Sequence, residues 1–385
     1  MLSPLVEPAG DLTPDEVARY SRHLVIPDLG VDGQKRLKNA RVLVIGAGGL
    51  GAPALLYLAA AGVGTIGIVD DDVVEASNLQ RQVIHGVADV GRSKAQSARD
   101  SIAAINPLVT VRLHEVRLDR HNAVDLFGQY DLILDGTDNF ATRYLVNDAA
   151  VLAHKPYVWG SIYRFEGQAS VFWEDAPAGR GLNYRDLYPE APPPGLVPSC
   201  AEGGVLGVLC ASIASVMGTE AVKLITGIGE PLLGRLLMYD ALAMSYRTVA
   251  IRKDPDTPAI TELIDYDEFC GVAPAVADDS AITPRELRDL LDSGDEIALI
   301  DVREPAEWAI NHIEGAQLIP SSVIGAGQGL SALAHDRRPV LYCKTGVRSA
   351  EALTAFRAAG FPDVVHLRGG IVAWAQQMQP DMIMY

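Results

Sequence analysis

Short β-branched runs alternate with Ala- and Leu-rich stretches over the first half of the chain. Arg41–Ile45 (RVLVI) and Thr65–Val69 (TIGIV) read as buried parallel strands, and residues 53–61 between them read as a helix. Residues 109–113 and 132–134 continue the strands, with a helix expected over 91–105 and another running to Val151. A helix over residues 13–24 is signalled by Thr13 as N-cap, Pro14 at the first helical position and Glu16 closing a capping box. Residues 156–173 alternate and contain Gly160 and Gly167, which predicts strands with a turn. Residues 176–198, rich in Pro and Gly, read as a long loop, and 203–226 as an apolar helix with Cys210 in the core.

The pattern changes after residue 268. Residues 269–281 are small, acidic and aperiodic, which predicts a linker holding Cys270 as a passive thiol. A second, smaller α/β unit is expected over 282–385. It opens on a capped amphipathic helix, followed by strands at Ile297–Asp301, 340–343 and 364–367 and a helix over 350–359.

Length and composition narrow the classes. The 385 residues suit two or three domains, and 49% hydrophobic content suffices for sizeable cores. The N-terminus lacks a secretory h-region, and no apolar run reads as long and uncharged enough to span a bilayer. A formal charge of −17 argues against nucleic acid and against anionic membranes as partners. The four cysteines, Cys200, Cys210, Cys270 and Cys343, form no C-x-x-C, which fits free thiols in a cytoplasmic protein.

Chemistry concentrates after the first strand. Gly46, Gly48, Gly49 and Gly51 form a G-x-G-x-x-G turn into a helix, where backbone N–H groups meet phosphate. Asp70 ends the second strand and is placed to accept hydrogen bonds from a ribose. Asp72, Ser77, Asn78, Leu79, Gln80, Arg81 and Gln82 follow. A dinucleotide has no third phosphate needing such a set, whereas ATP with Mg²⁺ does. Lys94 near a helix start opposes the helix dipole, which favours a phosphate-pairing task. Asp135, Asp138 and Asn139 fall at a strand's carboxyl end; Asp138 is the candidate Mg²⁺ ligand, with a helix N-cap as the competing role. A nicotinamide-dependent dehydrogenase remains an alternative, but it leaves Asn78, Arg81, Lys94 and Asp138 without a task. A non-catalytic binding scaffold is a second alternative.

Together with Gly91-Arg92-Ser93-Lys94 and Asp135-Gly136-Thr137-Asp138-Asn139, the first two-thirds of the chain resembles the MoeB/ThiF-type enzymes, bacterial relatives of ubiquitin-activating enzymes. The resemblance implies a Rossmann-like ATP-binding domain over 1–268. It also implies adenylation of the C-terminal glycine of a small sulfur-carrier protein ending Gly-Gly. Arg22, in the R-Y-x-R motif, is implied to reach the ATP of a partner subunit, hence a homodimer. Family members carry a zinc site of two C-x-x-C pairs. Here Asn183 and Asp186 stand at the first pair, and the second falls near Thr257 and Ile260, so no structural zinc is expected.

The segment 282–385 resembles a rhodanese domain, with DVRE, HIEGA, a cysteine loop and a GG-x-x-x-W ending in order. Cys343 ends a strand and enters a tight loop and a helix, so backbone N–H groups, the helix start and Arg348 favour its thiolate. A phosphatase-type C-x5-R loop is one residue longer than the Cys343–Arg348 loop, which suits a single sulfur atom. Cys200 precedes a helix and is the candidate second thiol. The combination resembles adenylyltransferase/sulfurtransferases of MoeZ type, which implies service to molybdopterin, thiamine or cysteine synthesis. Thiosulfate, mercaptopyruvate or a cysteine desulfurase is the expected sulfur donor.

Overall fold

The computed structural model describes residues 2–8, 10–192, 203–270, 280–294, 296–330 and 333–385. The chain forms two units, Met1–Val272 and Ala273–Tyr385.

The first unit is built on an eight-stranded sheet. Its strands are β1 (Arg41–Ile45), β2 (Thr65–Val69), β3 (Thr110–His114), β4 (Leu132–Asp135), β5 (Tyr157–Tyr163), β6 (Glu166–Phe172), β7 (Arg235–Asp240) and β8 (Ser245–Ala250). They lie in the order β3-β2-β1-β4-β5-β6-β7-β8. The first five are parallel, and β5 to β8 run antiparallel. The chain leaves β1 toward β2 on one side and reaches β4 on the other. The carboxyl ends of β1 and β4 therefore flank the crevice where ligands bind in open α/β sheets. Val42, Leu43, Val44, Ile66, Ile68, Ile133 and Leu134 are fully buried, as strands covered on both faces require.

The apolar helix starts later than the pattern suggests, at Gly207, and ends at Thr226. By length and composition it is apolar enough to cross a membrane, contrary to the reading that no such run exists. Its surroundings explain the composition. It packs on the Gly51–Ala61 helix and on β5 and β6, with Cys210, Ile213, Ala214, Met217 and Ala221 fully buried. Buried Glu220 accepts the Leu232 N–H at 2.7 Å and pairs with Lys223 at 2.5 Å.

The expected helix over residues 13–24 is two helices, Pro14–Arg19 and Ser21–Leu24. The Thr13–Glu16 capping box is present. Tyr20 breaks the run at φ −95°, ψ 13° because its ring is anchored elsewhere. A Cβ at Gly62 would stand 2.4 Å from the Tyr20 ring, and the Tyr20 hydroxyl accepts from Asn106 Nδ2 at 2.8 Å.

Where the family places zinc ligands, side chains of this chain pair with one another. Asn183 Nδ2 donates to Glu174 Oε2 at 2.7 Å, and the Asn183 N–H donates to Asp186 at 2.7 Å. The fully buried Asp186 carboxylate also accepts the Asp254 N–H at 3.1 Å. Lys253 bridges Glu174 at 2.7 Å and Asp186 at 3.3 Å. This cluster ties the loop after β6 to the segment after β8.

The second unit holds a five-stranded parallel sheet of β9 (Ala281–Ile282), β10 (Ile297–Asp301), β11 (Gln317–Leu318), β12 (Arg338–Tyr342) and β13 (Val365–Leu367). The order is β11-β10-β12-β13-β9, with β12 central. Its first helix, Pro284–Ser293, carries the Thr283–Glu286 capping box and ends on Gly294 in the left-handed region. Both ends of the expected linker, residues 269–281, fall within described residues. Phe269 ends a helix, Cys270 is buried in the first core, and Ala281 pairs with His366 in the second sheet.

Lys253→Met is expected to lower the stability of the first unit by about 1–2 kcal/mol, because it leaves the buried Asp186 carboxylate beside Glu174 without its cation. Urea denaturation followed by tryptophan fluorescence measures this, and an unchanged midpoint excludes the role given to Lys253.

Candidate functional site

The glycine turn sits at the end of β1 under steric control. Gly46 has φ +86°, and a Cβ on Gly51 would stand 1.8 Å from the Gly46 carbonyl oxygen. Gly136, after β4, approaches the same turn; its carbonyl oxygen would lie 3.6 Å from a Gly46 Cβ. The loops after β1 and β4 are thus neighbours. Arg81 reaches Gly49, with Cγ and Cδ 3.9 Å from its ideal Cβ, and Cys210 Sγ closes the same glycine from the apolar helix at 3.0 Å.

Asp70 carries more structure than expected. Its two carboxylate oxygens accept the Ala47 N–H at 2.7 Å and the Asp72 N–H at 2.9 Å, so it braces the glycine turn as well as facing the crevice. Burial pushes its carboxyl above the ordinary value, against those hydrogen bonds. Lys94 starts the Lys94–Ile105 helix, which is capped by Ser93. The buried lysine donates to Asp72 at 2.8 Å, so in this structure its charge meets a carboxylate.

Asn78 caps the turn through Glu75 N–H at 3.2 Å, and Ser77 Oγ donates to Glu75 at 3.2 Å. Arg81 Nη1 donates to the Ser77 carbonyl at 3.1 Å. Gln80 is exposed and Leu79 half-buried. A Cβ on Gly207 would meet the Gln80 carbonyl at 2.2 Å, so the helix start presses on this segment.

Past β4, the N-cap of the Phe140–Leu152 helix is Asn139, whose Oδ1 accepts the Thr142 N–H at 2.8 Å. The capping alternative for Asp138 is thereby corrected: Asp138 is exposed, and among the described residues no hydrogen bond or ion pair engages it. Asp135, just upstream, is fully buried. One oxygen accepts from Thr137 N–H at 3.0 Å and Thr137 Oγ1 at 2.7 Å, while Oδ2 has no hydrogen-bond partner. Burial pushes this carboxyl up to about 6.

Sequence reasoning overlooked two buried groups here. His85 Nε2 donates to the Ala47 carbonyl at 3.1 Å and its Nδ1 accepts from Ser97 at 2.8 Å, and burial pushes the imidazole below its ordinary value. Arg143 donates to the Thr137 carbonyl at 3.3 Å and lies over the rings of Phe140 and Trp159. Neither belongs to a recognisable motif, and their partners lie in other loops. Arg22 is exposed on its short helix, and among the described residues it makes no hydrogen bond or ion pair.

In the second unit, Cys343 follows β12 and is 1% exposed. The Gly346 N–H donates to Sγ at 3.1 Å, and Ser349 Oγ stands 3.7 Å from it. The Val347–Ala358 helix starts at the loop, with Gly346 at φ +102°. A Cβ on Gly370 would meet the Cys343 carbonyl at 2.4 Å, so the glycine pair supports the loop from below.

Arg348 has a partner that its sequence position does not reveal: its two terminal nitrogens grip Glu307 at 2.7 and 2.8 Å. Burial opposes ionisation of Glu307, but Arg348, the Glu304 N–H and Tyr385 together outweigh it and hold the carboxyl below its ordinary value. Tyr385 donates to the same carboxylate at 2.8 Å and accepts from Arg303 at 2.8 Å, and Lys344 Nζ lies 4.4 Å from its ring centre. Arg303 is itself fully buried against Asp301 at 2.6 Å. Cys200 lies outside the described residues.

A nucleotide-binding crevice followed by a cradled cysteine defines a two-domain transferase, and comparison with known proteins agrees. Residues 20–259 match the ThiF family and residues 283–377 the rhodanese-like domain. The chain belongs to the ThiF family, in its branch of adenylyltransferase/sulfurtransferases with a rhodanese-like domain. It is 80% identical to the probable adenylyltransferase/sulfurtransferase MoeZ of Mycobacterium tuberculosis, over 100% of this chain and 99% of that one. It is 52% identical to the sulfur carrier protein adenylyltransferase of Thermus thermophilus, over 68% of this chain and 98% of that one. It is 39% identical to the adenylyltransferase and sulfurtransferase MOCS3 of Drosophila grimshawi, over 97% and 87%. A crystal structure of Escherichia coli MccB with ATP shares the fold, at TM-score 0.52 and 21% identity over 62% of this chain and 72% of that one. The dehydrogenase and scaffold alternatives are set aside.

Asp135 makes stability pH-dependent. Its carboxyl is raised in the folded state, so the native protein holds the proton longer than the unfolded chain and loses stability as pH rises from about 4 to about 6. Relative to Asp135→Asn, the wild type is expected to lose up to about 3 kcal/mol across that window. Urea titrations of both proteins at several pH values give the difference, and a pH-independent difference contradicts this account of Asp135.

Proposed function

We propose that this enzyme uses ATP and Mg²⁺ to adenylate the C-terminal glycine of a small sulfur-carrier protein, and that Cys343 then delivers sulfur to it. The observation that carries the reading is the unengaged Asp138 carboxylate on the loop beside the Gly46–Gly51 turn. The turn's N–H groups and the start of the Gly51–Ala61 helix favour phosphate, with Gly46, Gly48 and Gly49 leaving room for it. Arg81 extends along the turn. Lys94 exchanges Asp72 for phosphate when nucleotide arrives. Asp70 holds the turn in shape and offers its remaining lone pairs to ribose. Asp138 would hold Mg²⁺, with Asn139 beside it, and the ion would supply charge neutralisation at the phosphates. A carrier carboxylate oxygen attacks the α-phosphorus and pyrophosphate leaves. Arg22 completes the site from the second subunit of a homodimer.

At the second centre, the Gly346 N–H donates to Cys343 Sγ and the Val347–Ala358 helix starts beside it. A donor such as thiosulfate, mercaptopyruvate or a cysteine desulfurase loads it as a persulfide. The terminal sulfur attacks the acyl carbon and AMP leaves. The Cys200 thiolate then attacks Cys343 Sγ, the S–S bond breaks, and the carrier departs as a thiocarboxylate. The resulting disulfide is reduced by a thiol. The first unit is read as working without a structural zinc, because Asp186, at one of the expected metal positions, pairs instead with Lys253 and Asn183 bonds Glu174. The product serves molybdopterin, thiamine or cysteine synthesis in the cytoplasm.

Carrier-dependent pyrophosphate exchange tests the first half. Asp138→Ala and Arg22→Ala are each expected to lose exchange, and a mixture of the two after subunit exchange to regain it, because some heterodimers keep one intact site. No recovery in verified heterodimers contradicts the trans role of Arg22; near-normal exchange in Asp138→Ala contradicts the Mg²⁺ role.

Intact-mass analysis with ATP, carrier and sulfur donor tests the second half. Cys343→Ala is expected to adenylate the carrier yet form neither a persulfide nor a thiocarboxylate. Cys200→Ala is expected to stall the carrier on Cys343 until reductant is added. A Cys343→Ala protein that still makes thiocarboxylate overturns the sulfur-transfer assignment.

A further inference from the structure

His366 is a buried histidine on β13, and the sulfur chemistry above assigns it no part. Its Nδ1 lies 3.4 Å from Ser349 Oγ, and that oxygen lies 3.7 Å from Cys343 Sγ. All three side chains are buried. Ser349 has one hydroxyl proton and three groups within reach: His366 Nδ1, Cys343 Sγ and the Gly346 carbonyl at 3.0 Å. Where that proton points depends on the histidine. With the proton on Nε2, the Nδ1 lone pair competes for the serine proton and draws it from sulfur. With the proton on Nδ1, the ring donates to Ser349 Oγ and leaves the hydroxyl free to donate elsewhere. A thiolate is a charged acceptor and outcompetes the neutral Gly346 carbonyl for that proton.

We propose that His366 is a positioning residue for sulfur transfer, which through Ser349 directs a hydroxyl hydrogen bond onto Cys343 Sγ. The inference rests on the reading of Cys343 as the sulfur-bearing thiol. The Gly346 N–H and the Ser349 hydroxyl then form a two-donor cradle. One donor is fixed by the backbone, and the other is switched on by the histidine tautomer. Such a cradle stabilises the Cys343 thiolate that meets the donor. It does so again where Sγ becomes a leaving thiolate, when cyanide takes the outer sulfur of the persulfide or when the Cys200–Cys343 disulfide is reduced. No charge moves onto His366; it supplies direction to a hydrogen bond.

The test uses the full-length protein with thiosulfate as donor and cyanide as acceptor, following thiocyanate formation and the persulfide by intact mass. His366→Leu is expected to lower kcat about tenfold, with KM for thiosulfate changed by less than about twofold. His366→Asn, nearly the same shape as Leu but able to donate an amide N–H to Ser349, is expected to recover most of that loss. Ser349→Ala is expected to match His366→Leu, and the double variant to fall no further, because one residue acts through the other. Should His366→Leu not fold, His366→Met supplies the apolar comparison; pyrophosphate exchange and thermal unfolding report the integrity of each variant. A wild-type kcat in His366→Leu, while Cys343→Ala has lost its persulfide, overturns the proposal and leaves Cys343 in place. Equal losses in the Asn and Leu variants, or multiplying losses in the double variant, overturn it as well. A persulfide that persists in Cys343→Ala removes the thiol assignment and the proposal together.

Discussion

The first unit turns on a contact that excludes side chains. At Gly51 the backbone of the helix passes so close to the Gly46 carbonyl that a methyl group would overlap it. Any larger residue there pushes the helix away from β1 and moves the loops that meet at the crevice. The loop after β4 approaches through another glycine, Gly136, whose ideal Cβ would lie 3.1 Å from the Gly51 nitrogen. The backbone of the glycine turn, the Asp70 carboxylate that braces it and the Asp138 loop are therefore positioned by one crowded crossing.

The second unit solves a similar problem with a different economy of parts. Cys343 sits at the end of the central strand, and the Gly369–Gly370 turn lies directly beneath its carbonyl. Only main chain fits there. Its loop is shaped by strand, helix and glycine, so the sulfur meets the Gly346 N–H, whose direction does not depend on a flexible side chain. The cations near the loop are committed elsewhere: Arg348 to Glu307, and Lys344 to the face of Tyr385.

Much of this was legible in the sequence where the pattern is local. β1, β2 and the glycine turn announce themselves because parallel strands buried on both faces are runs of branched apolar residues. Both capping boxes lie within four residues, and both formed. β8 escaped because it is an exposed edge strand with no apolar face. The break at Tyr20 was invisible because its cause is Gly62 and Asn106, far along the chain. Lys94 and Arg348 looked like free cations because Asp72 and Glu307 lie 22 and 41 residues away. The same distance hides the chain of contacts from His366 to Cys343. The Gly207–Thr226 helix is long and apolar enough to meet the composition of a membrane span, which the sequence reading denied, and it owes that apolarity to a packed interior.

Glu307 gathers donors from three separate stretches: Arg348 of the cysteine loop, Tyr385 of the tail, and the Glu304 N–H of its own helix turn at 3.0 Å. A carboxylate shared in this way makes the order of the tail and the order of the cysteine loop a single equilibrium. When the tail frays, Glu307 loses one of its three holders, and the opening free energy of the loop falls with it. Amide hydrogen exchange at the last turn and at the loop therefore belongs to one cooperative opening, and the tyrosine ring acts as a distant thermometer of the thiol's surroundings.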